Sequence, residues 1–161
     1  MMSKIEKMKQ LNFLLLITIF TNFFICNFAI AGENKLRHDA MTTLAKNMKT
    51  INQAILNQQP ISKKDLEKVR EAEKIASEFD ILFAKNDSDH PKSRANPIIW
   101  TEFEEFLSYA NDFKASISVL SSALNSNYGS TIPNIKQIKD AISLVGSNCA
   151  RCHNQYRLPK K

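Results

Sequence analysis

The amino-acid sequence predicts an all-α protein folded as an antiparallel up-down four-helix bundle. In four segments the apolar residues recur at alternating steps of three and four, the spacing of a helix with one buried face. No segment shows the period-two alternation of a strand, and none offers a hairpin turn. Four amphipathic helices joined by short connections bury their apolar faces together most simply in an antiparallel bundle.

The first two predicted helices are separated by Pro60, which ends the first of them. The second begins with a capping-box pattern at Ser62 and Asp65 and carries apolar residues from Leu66 to Phe83. The apolar stripe of the first helix comprises Met41, Leu44, Met48, Ile51 and Ile55.

The third predicted helix has Asn96 as its N-cap and Pro97 as its first helical residue. A break at residues 127–130, with the sequence NYGS, ends it. We interpret its apolar residues as core without a catalytic role. They are Ile99, Phe103, Phe106, Ala110, Phe113, Ile117, Leu120 and Leu124.

The fourth predicted helix begins near Pro133 and carries the motif that determines the function. Residues 149–153, CARCH, have the C-x-x-C-H spacing at which c-type haem is attached. On a helix, Cys149 and Cys152 share a face and can form two thioether bonds to the haem, while His153 can reach the iron as an axial ligand. Because the cysteines continue the apolar stripe, we predict one covalent haem c per chain, inserted between the helices.

Three other interpretations of the motif are open. A thioredoxin-type dithiol needs a preceding strand in a βαβ setting. A zinc site needs four ligands, and besides His38, His90 and the motif the exported chain offers no second cysteine pair or paired histidines. A disulfide between cysteines three apart on a helix is geometrically awkward.

The N-terminal segment 1–31 is predicted to be a secretory signal peptide. Three lysines precede an apolar stretch at 11–25, and Ala29-Ile30-Ala31 offers an A-x-A cleavage site. An uncleaved membrane anchor is the alternative, but polar residues interrupt the apolar stretch. Cleavage would leave one domain, residues 32–161. We expect it in the periplasm without stable membrane insertion, because c-type haem is attached outside the bacterial cytoplasm.

The charge of the chain says little about its partners. The formal net charge is +6, and the signal segment, with three lysines and one glutamate, contributes two of those charges, which leaves +4. This excess is compatible with an acidic redox partner protein or simply with solubility. No cluster of basic and aromatic residues indicates nucleic-acid binding.

From residue 36 to residue 158 the chain resembles the class II cytochromes c, the cytochrome c′ family. The resemblance is carried by three segments: 149–157 (CARCHNQYR), 97–100 (PIIW) and, more loosely, 37–41 (RHDAM). It implies an exported four-helix bundle with haem attached near the C-terminus. Members of the family often pair through their first two helices, so a homodimer is an expectation.

The second axial ligand is the open question of the sequence. Met41 and Met48 both lie on the buried stripe of the first helix, seven residues or roughly 10 Å apart, so at most one can lie over the iron. His38 and His90 are further candidates; we expect His38 at the edge of the site and His90 in solvent. The resemblance assigns the distal position to Met41, which implies a six-coordinate, low-spin iron with His153 and Met41 as ligands.

The resemblance also suggests residues around the haem. Arg37 matches a basic residue close to the haem propionates, with a solvated charge at the helix end as the alternative. Trp100 and Phe103 are expected to wall the haem pocket, with plain core packing as the alternative. Arg157 is expected either near the proximal side of the haem or in solvent.

The predicted function is electron transfer by cycling between ferric and ferrous iron, without enzymatic activity. Thioether sulfur and imidazole both stay bound on reduction, and the sulfur raises the potential. The alternative is a five-coordinate protein that binds nitric oxide or carbon monoxide, as in the family members that carry leucine or another non-ligating residue at the position of Met41.

Overall fold

The computed structural model describes residues 34–88, 90–91 and 93–159, and this part of the chain is helical without a named strand. The predicted signal peptide and the boundary after residue 31 lie outside the described residues. The all-α prediction is confirmed. Within the described ranges, no helix combines the length and the apolar character needed to cross a membrane.

Helix α2 agrees with the sequence pattern at its start, and the first two long helices agree with it in their buried faces. Helix α1 is described over residues 34–56, and helix α2 spans Lys63–Ser77. The predicted capping box is confirmed, because the Ser62 side chain accepts from the Asp65 backbone N–H and the Asp65 carboxylate accepts from the Ser62 backbone N–H. The buried apolar residues of these two helices are Leu44, Ile51, Ile55, Leu66, Val69, Ala72 and Ala76.

The second predicted helix is shorter than expected, because the chain leaves helical geometry at Glu78. A separate short helix, α3, spans Phe79–Leu82. The break lets Phe79 and Phe83, at the two ends of α3, face the bundle interior. The ring centroids of Phe79 and Phe113 lie 5.5 Å apart, and those of Phe83 and Phe106 lie 4.7 Å apart. Aromatic packing therefore outweighs the continuity of the helix.

The third predicted helix is also divided, into α4 (Ile98–Thr101) and α5 (Phe103–Asn127), with Glu102 outside helical geometry between them. The helix starts one residue later than predicted: Pro97 is the N-cap of α4, and Asn96 precedes it, its side chain accepting a hydrogen bond from the Ile98 N–H at 3.3 Å. Helix α5 is the central element, since it packs against both α2 and α6. Its buried face contains the predicted stripe from residue 106 onward.

Helix α6 spans Ile135–Tyr156 and carries the haem-attachment motif in its last two turns. Its N-cap is Asn134, one residue after the predicted start at Pro133, and its side chain accepts from the Gln137 N–H. Beyond the helix, Arg157 forms an isolated antiparallel bridge with Ala95. This bridge ties the last residues of the bundle to the segment that precedes α4.

The core of the described residues consists of two adjoining clusters. The larger one, the main cluster, fills the space between α1, α2, α5 and α6. The smaller one, the aromatic cluster, is built from Phe83, Ala95, Ile99, Phe106 and Tyr156 at the end of the bundle that contains the motif.

Candidate haem site

A cavity of about 620 Å³ lies at the end of the bundle where the two clusters meet, and its lining is largely apolar. Its volume falls within the range of pockets that bury a small molecule or cofactor. The apolar lining residues are Met41, Leu44, Ala45, Met48, Phe79, Phe83, Ala95, Ile99, Phe106, Phe113, Cys149 and Cys152. The polar ones are Asn34, Arg37, His38, Ser93, Arg94, Tyr109, Asn148, His153, Tyr156 and Arg157.

The two motif cysteines are half-buried free thiols on the same side of α6. Cys149 packs against the main cluster and Cys152 against the aromatic cluster. Burial raises the pKa of Cys149, and burial together with the neighbouring Cys149 raises the pKa of Cys152 to about 11. Redox-active dithiols have lowered thiol pKa values, so this environment opposes the dithiol interpretation.

His153 follows Cys152 directly and lines the same cavity. The residue is exposed, yet partial burial lowers its pKa from the usual value, and the positive charges of Arg157 and Arg94 lower it further. The imidazole is therefore neutral at pH 7, and a neutral imidazole keeps a lone pair available for a metal ion.

Both candidate methionines of α1 line the cavity, but their neighbours differ. Met41 packs against the main cluster and the aromatic cluster, whereas Met48 packs against the main cluster alone. The two cysteines together contact the same pair of clusters. Met41 thus lies where the main cluster and the aromatic cluster meet, and Cys149 and Cys152 lie at the same place. This position favours Met41 over Met48 as the second ligand.

The two histidines outside the motif differ in position. His38 lines the cavity and is exposed, in agreement with the expected position at the edge of the site. His90 does not line it, and the expectation that it lies in solvent is wrong, since it is half-buried. The reason is the folded loop: the His90 N–H donates to the Asp87 carbonyl at 3.0 Å, and the Ser93 N–H donates to the His90 carbonyl at 2.8 Å.

Arg37 lines the cavity and is only 6% exposed, so the alternative of a solvated helix-end charge is wrong. Its guanidinium forms an ion pair with the buried Asp87 and donates to the Ser93 hydroxyl at 3.2 Å. It also lies over the ring of Phe83, 5.0 Å from the centroid, and 5.8 Å from the ring of Trp100. Sequence reasoning missed Asp87, because nothing in the local sequence marks a partner 50 residues away.

Trp100 and Phe103 are not among the residues that line the cavity. The indole N–H of Trp100 donates to the backbone carbonyl of Phe83 at 2.9 Å, which turns the ring towards Arg37 and the chain around Phe83. Phe103 packs against the aromatic cluster, with its ring 6.0 Å from that of Phe106. Trp100 thus reaches the site through Arg37 and Phe83, and its place among the haem surroundings stays a prediction.

The C-terminal side of the cavity contains residues that sequence reasoning did not single out as parts of the site. The rings of Tyr156 and Tyr109 pack edge to face, 5.3 Å apart. The Tyr156 hydroxyl is buried without a hydrogen-bond partner among the described residues, and burial, followed by nearby glutamates, raises its pKa to about 12. Arg94 and Arg157 also line this side. Arg157 is exposed at the end of α6 and lowers the pKa of His153, so both expectations for it, near the proximal side of the haem or in solvent, stay open.

The donor set fits a haem c. Two thiols at thioether spacing, an imidazole next to them and a methionine sulfur surround one largely apolar cavity. Sulfur and imidazole ligands suit haem iron, and an apolar lining suits the porphyrin. Cys149 and Cys152 would hold the group covalently, and His153 would ligate its iron.

The comparisons with known proteins agree with this site. A family model described as Cytochrome C′ matches residues 33–157. The chain is similar to a solved structure of cytochrome c prime from Alcaligenes xylosoxidans, a ferrous arginine-to-lysine variant with bound NO. The identity is 21%, 80% of this chain and 94% of that chain are covered, and the TM-score is 0.66.

Two further solved structures are similar to the same degree. Cytochrome c′ from Rubrivivax gelatinosus is 20% identical, with 78% of this chain and 94% of that chain covered and a TM-score of 0.64. A carbon monoxide-bound leucine-to-glycine variant from Alcaligenes xylosoxidans is 21% identical, with 79% and 94% covered and a TM-score of 0.63. At this identity the likeness shows the shared four-helix bundle. The comparison with curated protein sequences gave no match.

Proposed function

Since this chain belongs to the cytochrome c′ family and its cofactor is haem c, we propose that it binds nitric oxide and carbon monoxide at the haem. The haem supplies the iron that takes the gas and that changes between the ferric and ferrous states. The solved structures similar to this chain include complexes with both gases. They therefore favour gas binding over the electron-transfer function predicted from the sequence.

The observation that carries this proposal is the apolar stretch of α1 along the cavity, formed by Met41, Leu44, Ala45 and Met48. An uncharged diatomic gas enters an apolar space at little cost, whereas an anion or a water molecule loses hydrogen bonds there that these side chains cannot replace. The wall thus selects for the gas by excluding its polar competitors.

Met41 determines how freely the gas binds. Its thioether is a soft, weak ligand on a side chain with three rotatable bonds, so it can ligate the iron and can also turn away. Binding of the gas is then a competition with the Met41 sulfur. A leucine at this position has no sulfur and leaves the gas without a competitor.

Electron transfer is the second candidate, and the position of Met41 at the junction of the two clusters favours it. A methionine held there by packing on both sides would stay bound on reduction, together with His153. Little reorganisation would then accompany the transfer. In this case the protein is an electron carrier that meets a redox partner protein through an exposed edge of the site.

A gas titration of the haem-loaded protein separates the two functions. We expect the ferrous absorption spectrum to shift on addition of nitric oxide or carbon monoxide. Met41→Leu should bind carbon monoxide at least tenfold faster, while the matched variant Met48→Leu should bind it at the wild-type rate. Both substitutions conserve side-chain volume and leave the fold intact.

Two outcomes would contradict this proposal. Absence of a spectral change in the ferrous protein at saturating gas, in both the wild type and Met41→Leu, would contradict gas binding itself. Acceleration by Met48→Leu alone would contradict the assignment of Met41 as the competitor of the gas. A low-spin spectrum with a methionine–iron band that resists gas, and that is lost in Met41→Leu, supports the electron carrier instead.

We propose the periplasm as the location, where c-type haem is attached, and a redox partner protein as the source of electrons for the haem. A homodimer is part of the same proposal. Fractionation of the producing cells tests the location, and light scattering of the purified protein tests the oligomeric state.

A further inference from the structure

Two arginines are held next to each other by the bridge at the C-terminal end of the bundle. Ala95 pairs with Arg157, the Leu158 N–H donates to the Arg94 carbonyl at 2.8 Å, and the Asn96 N–H donates to the Tyr156 carbonyl at 3.0 Å. The Arg94 side chain is fixed as well, because its Nε donates to the Leu158 carbonyl at 2.9 Å. The bridge therefore fixes Arg94 beside the last turn of α6.

Both arginines line the cavity together with His153, and neither forms an ion pair within the described ranges. The other two arginines near the site are neutralised: Arg37 by the buried Asp87, and Arg151 by Asp112 on α5. The positive charge on this side of the cavity is therefore carried by Arg94 and Arg157, and the same two side chains act electrostatically on the His153 imidazole.

We propose that Arg94 and Arg157 form a cationic pair that raises the reduction potential of the haem. Ferric iron carries one more positive charge than ferrous iron, so two cations beside its histidine ligand disfavour the oxidised state. Arg157 has the larger electrostatic effect on the His153 imidazole, whereas Arg94 is half-buried and fixed by its hydrogen bond and is therefore less screened by solvent than the exposed Arg157. This role depends on the haem and is independent of gas binding.

The test is a gas-free redox titration of the haem-loaded protein with small-molecule mediators at low salt. No bond forms or breaks; one electron from the mediator reduces the ferric protein. In Arg94→Gln the ferrous-to-ferric ratio at a fixed potential should fall roughly three- to tenfold. Arg157→Gln should also lower this ratio, and the double variant should show about the product of the two effects.

Arg94→Lys separates charge from structure, because it keeps the cation. Its ferrous-to-ferric ratio at a fixed potential should stay within about twofold of the wild-type ratio. Arg70→Gln is the matched control, since it removes the same charge from an exposed position on α2 outside the cavity. Raising the salt concentration should narrow the difference between Arg94→Gln and the wild type.

Three results would overturn the inference: unchanged potentials in both glutamine variants, a potential of Arg94→Lys as low as that of Arg94→Gln, or an equal fall in Arg70→Gln. If Arg94→Gln does not take up haem, Arg157→Gln decides alone, because the Arg157 side chain makes no hydrogen bond in the described part of the chain. If the wild-type protein binds no gas but the glutamine substitutions still lower the reduction potential, the proposed function is wrong and this inference stands.

Discussion

Arg37 and Asp87 form an ion pair in which the two side chains are only 7% and 3% exposed. The pair joins the first described turn of α1 to a loop 50 residues further along the chain. Because Arg37 lies one helical turn before Met41, the same contact fixes the part of α1 that carries the candidate distal ligand. The second carboxylate oxygen of Asp87 has no partner among the described residues, so the arginine is the main compensation for this buried charge.

Removing the negative charge of Asp87 should therefore lower the stability of the protein. Asp87→Asn leaves the Arg37 charge buried without compensation, and we expect the free energy of unfolding to fall by about 3–5 kcal/mol. Urea denaturation of the haem-loaded protein measures this loss. The displaced start of α1 should also change the rate of carbon monoxide binding through Met41.

A surface ion pair on the same helix provides the control. Lys35 and Asp39 are largely exposed and four residues apart, so Asp39→Asn should change the free energy of unfolding by less than about 0.5 kcal/mol. Equal effects of the two substitutions would show that burial does not strengthen the Arg37–Asp87 contact.

Tyr156→Phe should make the stability of the folded protein depend less on pH in the alkaline range. The folded state raises the pKa of Tyr156 to about 12 from the usual value of 10, so between these values the folded phenol keeps a proton that the unfolded phenol loses. The stability of the wild type therefore falls as the pH rises from 10 to 12, and the phenylalanine variant lacks this contribution. Denaturation midpoints at pH 8 and pH 11 measure it.

At neutral pH the same variant should unfold within about 1 kcal/mol of the wild type, since the buried hydroxyl has no hydrogen-bond partner to lose. Tyr109→Phe is the control, because its ring occupies the same aromatic pair. A Tyr156→Phe variant that loses stability between pH 8 and pH 11 as steeply as the wild type would contradict the expectation.

The parts of the molecule that the sequence predicted correctly are those governed by local rules. The capping box at Ser62, the buried stripe of α5 and the spacing of Cys149, Cys152 and His153 all depend on residues within a few turns of each other. Even the place of Met41 on the cavity wall follows from helical periodicity together with the family resemblance.

The features that the sequence did not predict depend on contacts between distant segments. The helix breaks at Glu78 and Glu102 have no proline or glycine to mark them, and packing of Phe79, Phe83 and Trp100 across the bundle accounts for them. The bridge between Ala95 and Arg157 joins segments about 60 residues apart. No local pattern indicates such a pairing, so the position of Arg94 beside the last turn of α6 could be found only in three dimensions.

Covalent attachment of the haem should require both thiols of α6. In the double variant Cys149→Ala, Cys152→Ala we expect no haem stain on the protein band of a denaturing gel, while the wild type stains. Each single variant keeps one thioether position and should stain more weakly than the wild type. Ser147→Ala, an exposed change on the same helix, is the matched control and should stain fully. A double variant that still stains would mean that the haem is attached elsewhere in the chain, and the site described above would then be wrong.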